Sequence, residues 1–350
     1  MDKMTPRQRV LALLNGETPD RVPCFSGMGN ITMTGLEQLG YKFPHCHEDA
    51  RKMADLAATS YKLFGYECAV VPYDMCVEAE VLGCQMNAYE DVDQLLYPTI
   101  KEKAIHSEEE ISNLAIPTDF AGKGRLPVVT EAIRRLKQDL GQDVAIGAWV
   151  LGPFTLAGQL MDLNDLFKLS FKKAALVNGM LDKLADFQIG VCKLYQAAGA
   201  DYITVREMGA TTDILSPRSF RQVIQPNLKK ISEAISGPKI LHICGSTNSV
   251  VEIMNECGYT AISVEQKNDI TKTRETIGQK PLVFGNFDSF GVLSSGTPEL
   301  VEKTIIKCLE DGVDAIWPSC DLWPVTPLEN AKAMMETVKK YSPQKWRRAV

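Results

Sequence analysis

The sequence predicts an α/β fold, a single (β/α)8 barrel, on three observations. Eight short β-rich runs recur along the 350 residues, helical segments with clear start and stop signals lie between them, and no glycine-rich nucleotide-binding fingerprint follows any of them. The runs are Val22–Phe25, Cys68–Pro72, Ala145–Leu151, Tyr202–Val205, Lys239–Ile243, Ala261–Val264, Leu282–Gly285 and Ala315–Pro318. They are nearly continuous in apolar residues rather than alternating, as parallel strands covered on both faces require. A doubly wound open sheet is the competing arrangement, and the missing fingerprint counts against it.

The connecting elements carry their own punctuation. Thr5-Pro6 opens an amphipathic helix over Arg7–Asn15 that Gly16 closes. Gln85 to Arg125 is polar and poor in strand signals, and reads as a long insertion between the second and third strands, lying over the barrel mouth. A helix runs from Val128 to Leu140, with Glu131, Arg134, Arg135 and Gln138 facing out. Ser216-Pro217 starts another, which Pro226 should kink. Thr297-Pro298 starts a helix that ends before Gly312, and Thr326-Pro327-Leu328-Glu329 reads as a capping box. No repeat or low-complexity linker interrupts the chain, so residues 1–350 read as one domain.

Composition narrows the function. The net charge of −6 carries no nucleic-acid footprint, and the short basic tail Lys345-Trp346-Arg347-Arg348 reads as a solvated terminus. No secretory signal opens the chain, and the most apolar stretch, Ala145 to Gly158, is too short to span a bilayer. The ten cysteines are scattered rather than framed as disulfides, so most should be buried free thiols. A cytoplasmic protein, bound neither to membrane nor to nucleic acid, is the expectation.

Barrel chemistry sits at the carboxyl ends of the strands. There the sequence offers Leu241-His242-Ile243-Cys244-Gly245, then Glu265, then Asn286-Phe287-Asp288, then Ser319-Cys320-Asp321. His242 and Cys244 are two apart and share a face on extended backbone. With Cys320 they form one imidazole and two thiolates, a set suited to zinc with a position left open for substrate. The spacing equally allows a core histidine with satisfied nitrogens and two buried thiols. The fifth and eighth strands are not neighbours, so these ligands can meet only across the centre of the mouth.

Several stretches resemble the uroporphyrinogen decarboxylase superfamily: Thr18-Pro19-Asp20-Arg21-Val22-Pro23 at the start, then GRLPVVTEAI (124–133), GPFTLAGQL (152–160), LSPRSF (215–220), LHICG (241–245), ISVEQK (262–267) and VTPLEN (325–330). The later ones are similar to its corrinoid-dependent methyltransferase branch, and the resemblance covers nearly the whole chain. It implies zinc on His242, Cys244 and Cys320, with Glu265 as a displaceable fourth ligand. It also implies a methyl group moved between a corrinoid and a small substrate, foremost from methyl-Co(III) corrinoid to a thiol such as coenzyme M. The alternatives are demethylation of a methylated substrate onto Co(I) corrinoid, and a non-catalytic zinc-binding barrel. This chain lacks a cobalamin-binding Asp-x-His-x-x-Gly motif, so a separate corrinoid protein should present the cofactor. Glu207, Glu265 and Asp321 are candidates to orient substrate or relay a proton, and Met75, Phe154, Met161 and Trp323 to line the cavity. Two departures stand out. Where the decarboxylases carry an arginine-rich RQAGR segment to bind carboxylates, this chain has Ser26-Gly27-Met28-Gly29-Asn30, which argues against uroporphyrinogen decarboxylation. Val205-Arg206-Glu207-Met208-Gly209-Ala210 also differs from the ADP-type segment of the coenzyme M enzymes.

Overall fold

The computed structural model describes residues 3–345, with side chains to Tyr341; Trp346, Arg347 and Arg348 of the basic tail lie outside the described residues. The strands are β1 (Cys68–Val71), β2 (Gln85–Asn87), β3 (Thr99–Glu102), β4 (Ala145–Leu151), β5 (Tyr202–Arg206), β6 (Lys239–Ile243), β7 (Ala261–Val264), β8 (Leu282–Phe287) and β9 (Ala315–Pro318). Seven of them form one parallel sheet in the order β1-β4-β5-β6-β7-β8-β9, curled into the barrel that the strand–helix alternation predicted.

The eighth expected strand, Val22–Phe25, forms a single parallel bridge instead, between Cys24 and Ile316. It still fills the gap between the sheet edges. Ile316 donates to Pro23 and Phe25 donates back to Ile316, while Glu67, just before β1, donates to Cys24. Pro23 has no N–H to offer, which limits the ladder this segment can build.

Aromatic rings fill the interior. Phe25 meets Tyr202, Phe284 and Trp317 edge-on at centroid distances of 5.6, 5.3 and 5.1 Å. Alternation along β5 points Tyr202, Thr204 and Arg206 inward in succession toward the mouth. Backbone and barrel wall come so close beneath it that a Cβ on Gly27 would stand 1.8 Å from Thr204 Oγ1.

The opening helix spans Pro6–Leu14, capped reciprocally by Thr5 and Gln8. The helix from Pro298 ends at Asp311, with Gly312 left-handed at φ 89°. The Ser216-Pro217 helix runs as three pieces, Pro217–Ser219, Phe220–Ile224 and Gln225–Ala234. It widens into a π-helical turn over Phe220–Ile224, the five residues before Gln225-Pro226, where the missing proline N–H frees a carbonyl. The segment 85–125 holds the antiparallel hairpin β2–β3 and a helix over Glu108–Asn113. Lys103 pins it to the helix after β4 through the Gly158 and Met161 carbonyls, each at 2.6 Å.

Candidate active site at the barrel mouth

Strand register brings the first three residues of the site into one row. Arg206 on β5 pairs with His242 on β6, and His242 pairs with Ser263 on β7. All three side chains are buried. His242 Nδ1 lies 3.0 Å from Ser263 Oγ, and its Nε2 lies 3.2 Å from Cys244 Sγ. Burial, and then the Arg206 cation, hold the imidazole neutral with its pKa down to about 3. One ring nitrogen thus faces the Ser263 hydroxyl and the other the Cys244 sulfur.

Cys320 reaches the same place from across the mouth. The Cys244 thiol hydrogen-bonds the Cys320 sulfur, which raises the pKa of the donor and lowers that of the acceptor, and Arg206 favours the thiolate in both. The separation of β6 from β9 in the sheet is thus bridged by the loops, as the sequence required. The three side chains meet pairwise, His242 with Cys244 and Cys244 with Cys320. Among the described residues no three His, Cys, Asp or Glu side chains close around one point as a ready metal set. Glu265 stands beside them, its carboxylate accepting from the N–H of Gly245.

The other candidates separate. Asp321 follows Cys320, accepts from Gly29 N–H at 2.8 Å, and pairs with Arg206 at 3.1 Å. Glu207 turns to the helix over Pro153–Leu160 and accepts from the N–H groups of Phe154 and Thr155 at 3.0 and 2.7 Å and from Thr155 Oγ1 at 2.5 Å. Burial raises its pKa to about 7 despite those bonds. Its hydrogen bonds tie it to that helix rather than to the sulfur pair, a positioning role for the loop after β5. Phe154 and Met161 are buried, Phe154 against Phe167, whereas Met75 and Trp323 are exposed. Sequence reasoning missed Ser263 and gave Arg206 no role. The available signal was a lone cation closing the otherwise uncharged strand Tyr-Ile-Thr-Val-Arg.

A family model described as uroporphyrinogen decarboxylase (URO-D) matches residues 5–341. The chain belongs to this family. Among its relatives in the URO-D family, the methylcobamide:CoM methyltransferase MtaA of Methanosarcina barkeri is 33% identical over 97% of this chain and 99% of its own length. The methylcobamide:CoM methyltransferase MtbA of Methanosarcina acetivorans is 30% identical with the same coverage. A solved methyltransferase from Methanosarcina mazei superposes with a TM-score of 0.91 at 32% identity, over 97% of this chain and 99% of that one. The URO-D family resemblance, the barrel and the methyltransferase relatives all agree with what the sequence implied. No helix among the described residues is long and apolar enough to cross a membrane.

Proposed function

We propose that this chain is a zinc-dependent methyltransferase that moves a methyl group from a methyl-Co(III) corrinoid, carried by a partner protein, to a small thiol of the coenzyme M type. The observation that carries the reading is the pairwise approach of His242 Nε2 to Cys244 Sγ, and of Cys244 to Cys320, at the carboxyl ends of β6 and β9. The donor set suits zinc: the imidazole is neutral, Ser263 holds the ring in place from its Nδ1 side, and the two thiols stand beside its other face. Zinc bound there would take a substrate thiol in its open position and hold it as thiolate near neutral pH. Glu265, beside Gly245, is suited to occupy that position until substrate displaces it.

The chain's own residues do the rest. The loops after β6 and β9 hold the sulfur pair together, and Ser263 keeps the histidine ring oriented. The substrate sulfur forms its bond to the methyl carbon as the Co–C bond breaks, with the electron pair left on cobalt. A large macrocycle needs an open approach. Met75, Ile214, Phe290, Trp323 and Val325, all exposed, follow four different strands on the mouth side, which supports a partner docking there. The ten cysteines are free, which suits a reducing, cytoplasmic setting.

The test is metal content of the purified protein beside a Cys244→Ala/Cys320→Ala variant. About one zinc per chain in the parent and almost none in the variant is the expected result. Methylation of a short thiol by methylcobalamin should then follow the metal. A well-folded parent that takes up no zinc on incubation would end this reading. Transfer only from methylated donors to reduced cobalamin would reverse the direction.

A further inference from the structure

Arg206 is a buried cation one strand away from the sulfur cluster, and its pairing is unfinished. It is 2% exposed, and its Nε has no hydrogen-bond partner. Its guanidinium lies 4.5 Å from the centroid of the Trp149 ring, which fixes its plane. Among the described residues its one carboxylate partner is Asp321, at 3.4 Å from Nη1 and 3.1 Å from Nη2. Both distances exceed the ~2.7–2.9 Å of a tight charge-assisted bond. The other four arginines buried among the described residues are held closer: Arg9 by Asp20 at 2.6 Å, Arg21 by Glu67 at 2.8 Å, Arg125 by Asp74 at 2.8 Å and Arg274 by Asp314 at 2.6 Å. Asp321 is also the more open partner, its side chain 34% exposed. It has a second anchor in Gly29 N–H, so it need not leave the site to release the guanidinium.

From this geometry we infer that Arg206 anchors a carboxylate or sulfonate on the small substrate, and so selects anionic substrates for the His242–Cys244–Cys320 site. The inference rests on the methyl-transfer reading for what happens at the sulfur end. Arg206 and His242 are register partners on neighbouring strands, about 4.8 Å apart. A ligand that bridges guanidinium and sulfur pair is therefore a small one. On binding, the anion takes the guanidinium face that Asp321 holds loosely, while Asp321 keeps Gly29. The same anchor serves a thiol acceptor and an S-methylated donor, because both carry the anion.

The experiment is calorimetric binding to the zinc-loaded protein and to Arg206→Met. The probes are 2-mercaptoethanesulfonate, 3-mercaptopropionate and the neutral 2-mercaptoethanol, with S-methyl derivatives as a second arm that separates acceptor from donor. The anionic thiols should bind roughly 10- to 100-fold more tightly than the neutral one. Arg206→Met should erase that preference and leave 2-mercaptoethanol unchanged. Equal binding of all three thiols by the parent, or equal weakening of all three in the variant, overturns the inference. If Arg206→Met does not fold, Asp321→Asn keeps the cation and neutralises its partner. That variant should tighten the anionic thiols alone, and unchanged or weaker binding of them overturns the inference. Propionate and ethanesulfonate, followed by saturation-transfer NMR, probe the anchor without sulfur. Their contact with Arg206 decides it even if the protein takes no zinc and methylates no thiol, the result that would sink the methyl-transfer reading.

Discussion

The two ends of the barrel treat charge in opposite ways. At the bottom, a carboxylate stands immediately before each of three strands: Glu67 before β1, Asp201 before β5 and Asp314 before β9. Each accepts an N–H from a neighbouring segment, Cys24 at 2.7 Å, Ile146 at 3.0 Å and Val283 at 2.9 Å respectively. Each is also closed over by cations: Arg9 and Arg21, Arg7 and Lys137, and Arg274. At the mouth, two thiols stand together, Arg206 keeps a vacant donor, and Asp321 is part-exposed. Saturated charge fixes strand ends, whereas unsaturated groups keep capacity for something that arrives later.

The largest effect expected from this contrast is at Glu67. Glu67→Ala removes the buried carboxylate that Arg9 and Arg21 share, leaving Arg9 its bond to Asp20, and unties Cys24, the residue through which the Val22–Phe25 segment closes the barrel. The loss should be about 3–5 kcal/mol in urea unfolding. Zinc uptake by whatever fraction remains folded should match the parent. A variant of unchanged stability that lost its metal instead would dissolve the division between the two ends.

A smaller effect tests a carboxylate on the mouth side that has no cation bonded to it. Glu78 is fully buried, accepts from Leu151 N–H at 3.0 Å, and leaves its other oxygen without a partner. Burial pushes its pKa up from 4.5 to about 7. The protonated form is thus favoured on folding. Its contribution to stability is full below about pH 4.5 and is lost as pH rises through 7. Glu78→Gln should remove that slope, which amounts to at most ~3 kcal/mol across the interval. Parallel pH–stability curves for parent and variant would show that the group stays ionised and is solvated as the bottom carboxylates are not.

These contrasts also explain what was legible in the sequence. Strand positions were legible because fully buried parallel strands must be continuously apolar, and Cys68–Val71 or Ala145–Leu151 have no other reading. That His242 and Cys244 would stand side by side was legible because a strand end plus a His-x-Cys spacing leaves little freedom. The hairpin β2–β3 was hidden because its residues are largely exposed, so no apolar alternation marks them. Glu207 was hidden as a helix anchor because the helix it binds begins at Pro153, far back along the chain. Arg206 was hidden because a cation at a strand end looks the same whether it is solvated or stacked on Trp149, and only the neighbouring strand tells which.

The smallest expected effect concerns the rim. Trp323 is 44% exposed and touches Phe290 edge-on at 5.2 Å. Packing against so little, Trp323→Ser should change the unfolding free energy by no more than ~0.5 kcal/mol. If the rim receives the macrocycle or the protein that carries it, the same change removes an aromatic contact from that encounter. The KM for methylcobalamin should then rise about fivefold, the equivalent of ~1 kcal/mol. Zinc content and the binding of short thiols should stay as they were, because Trp323 lies outside the contacts of the sulfur cluster. An unchanged KM would move the docking face away from the loop after β9, toward Met75 or Ile214. A variant that unfolds more readily by several kcal/mol would mean that the exposed pair belongs to the scaffold, and the contrast between a closed bottom and an open mouth would lose its rim.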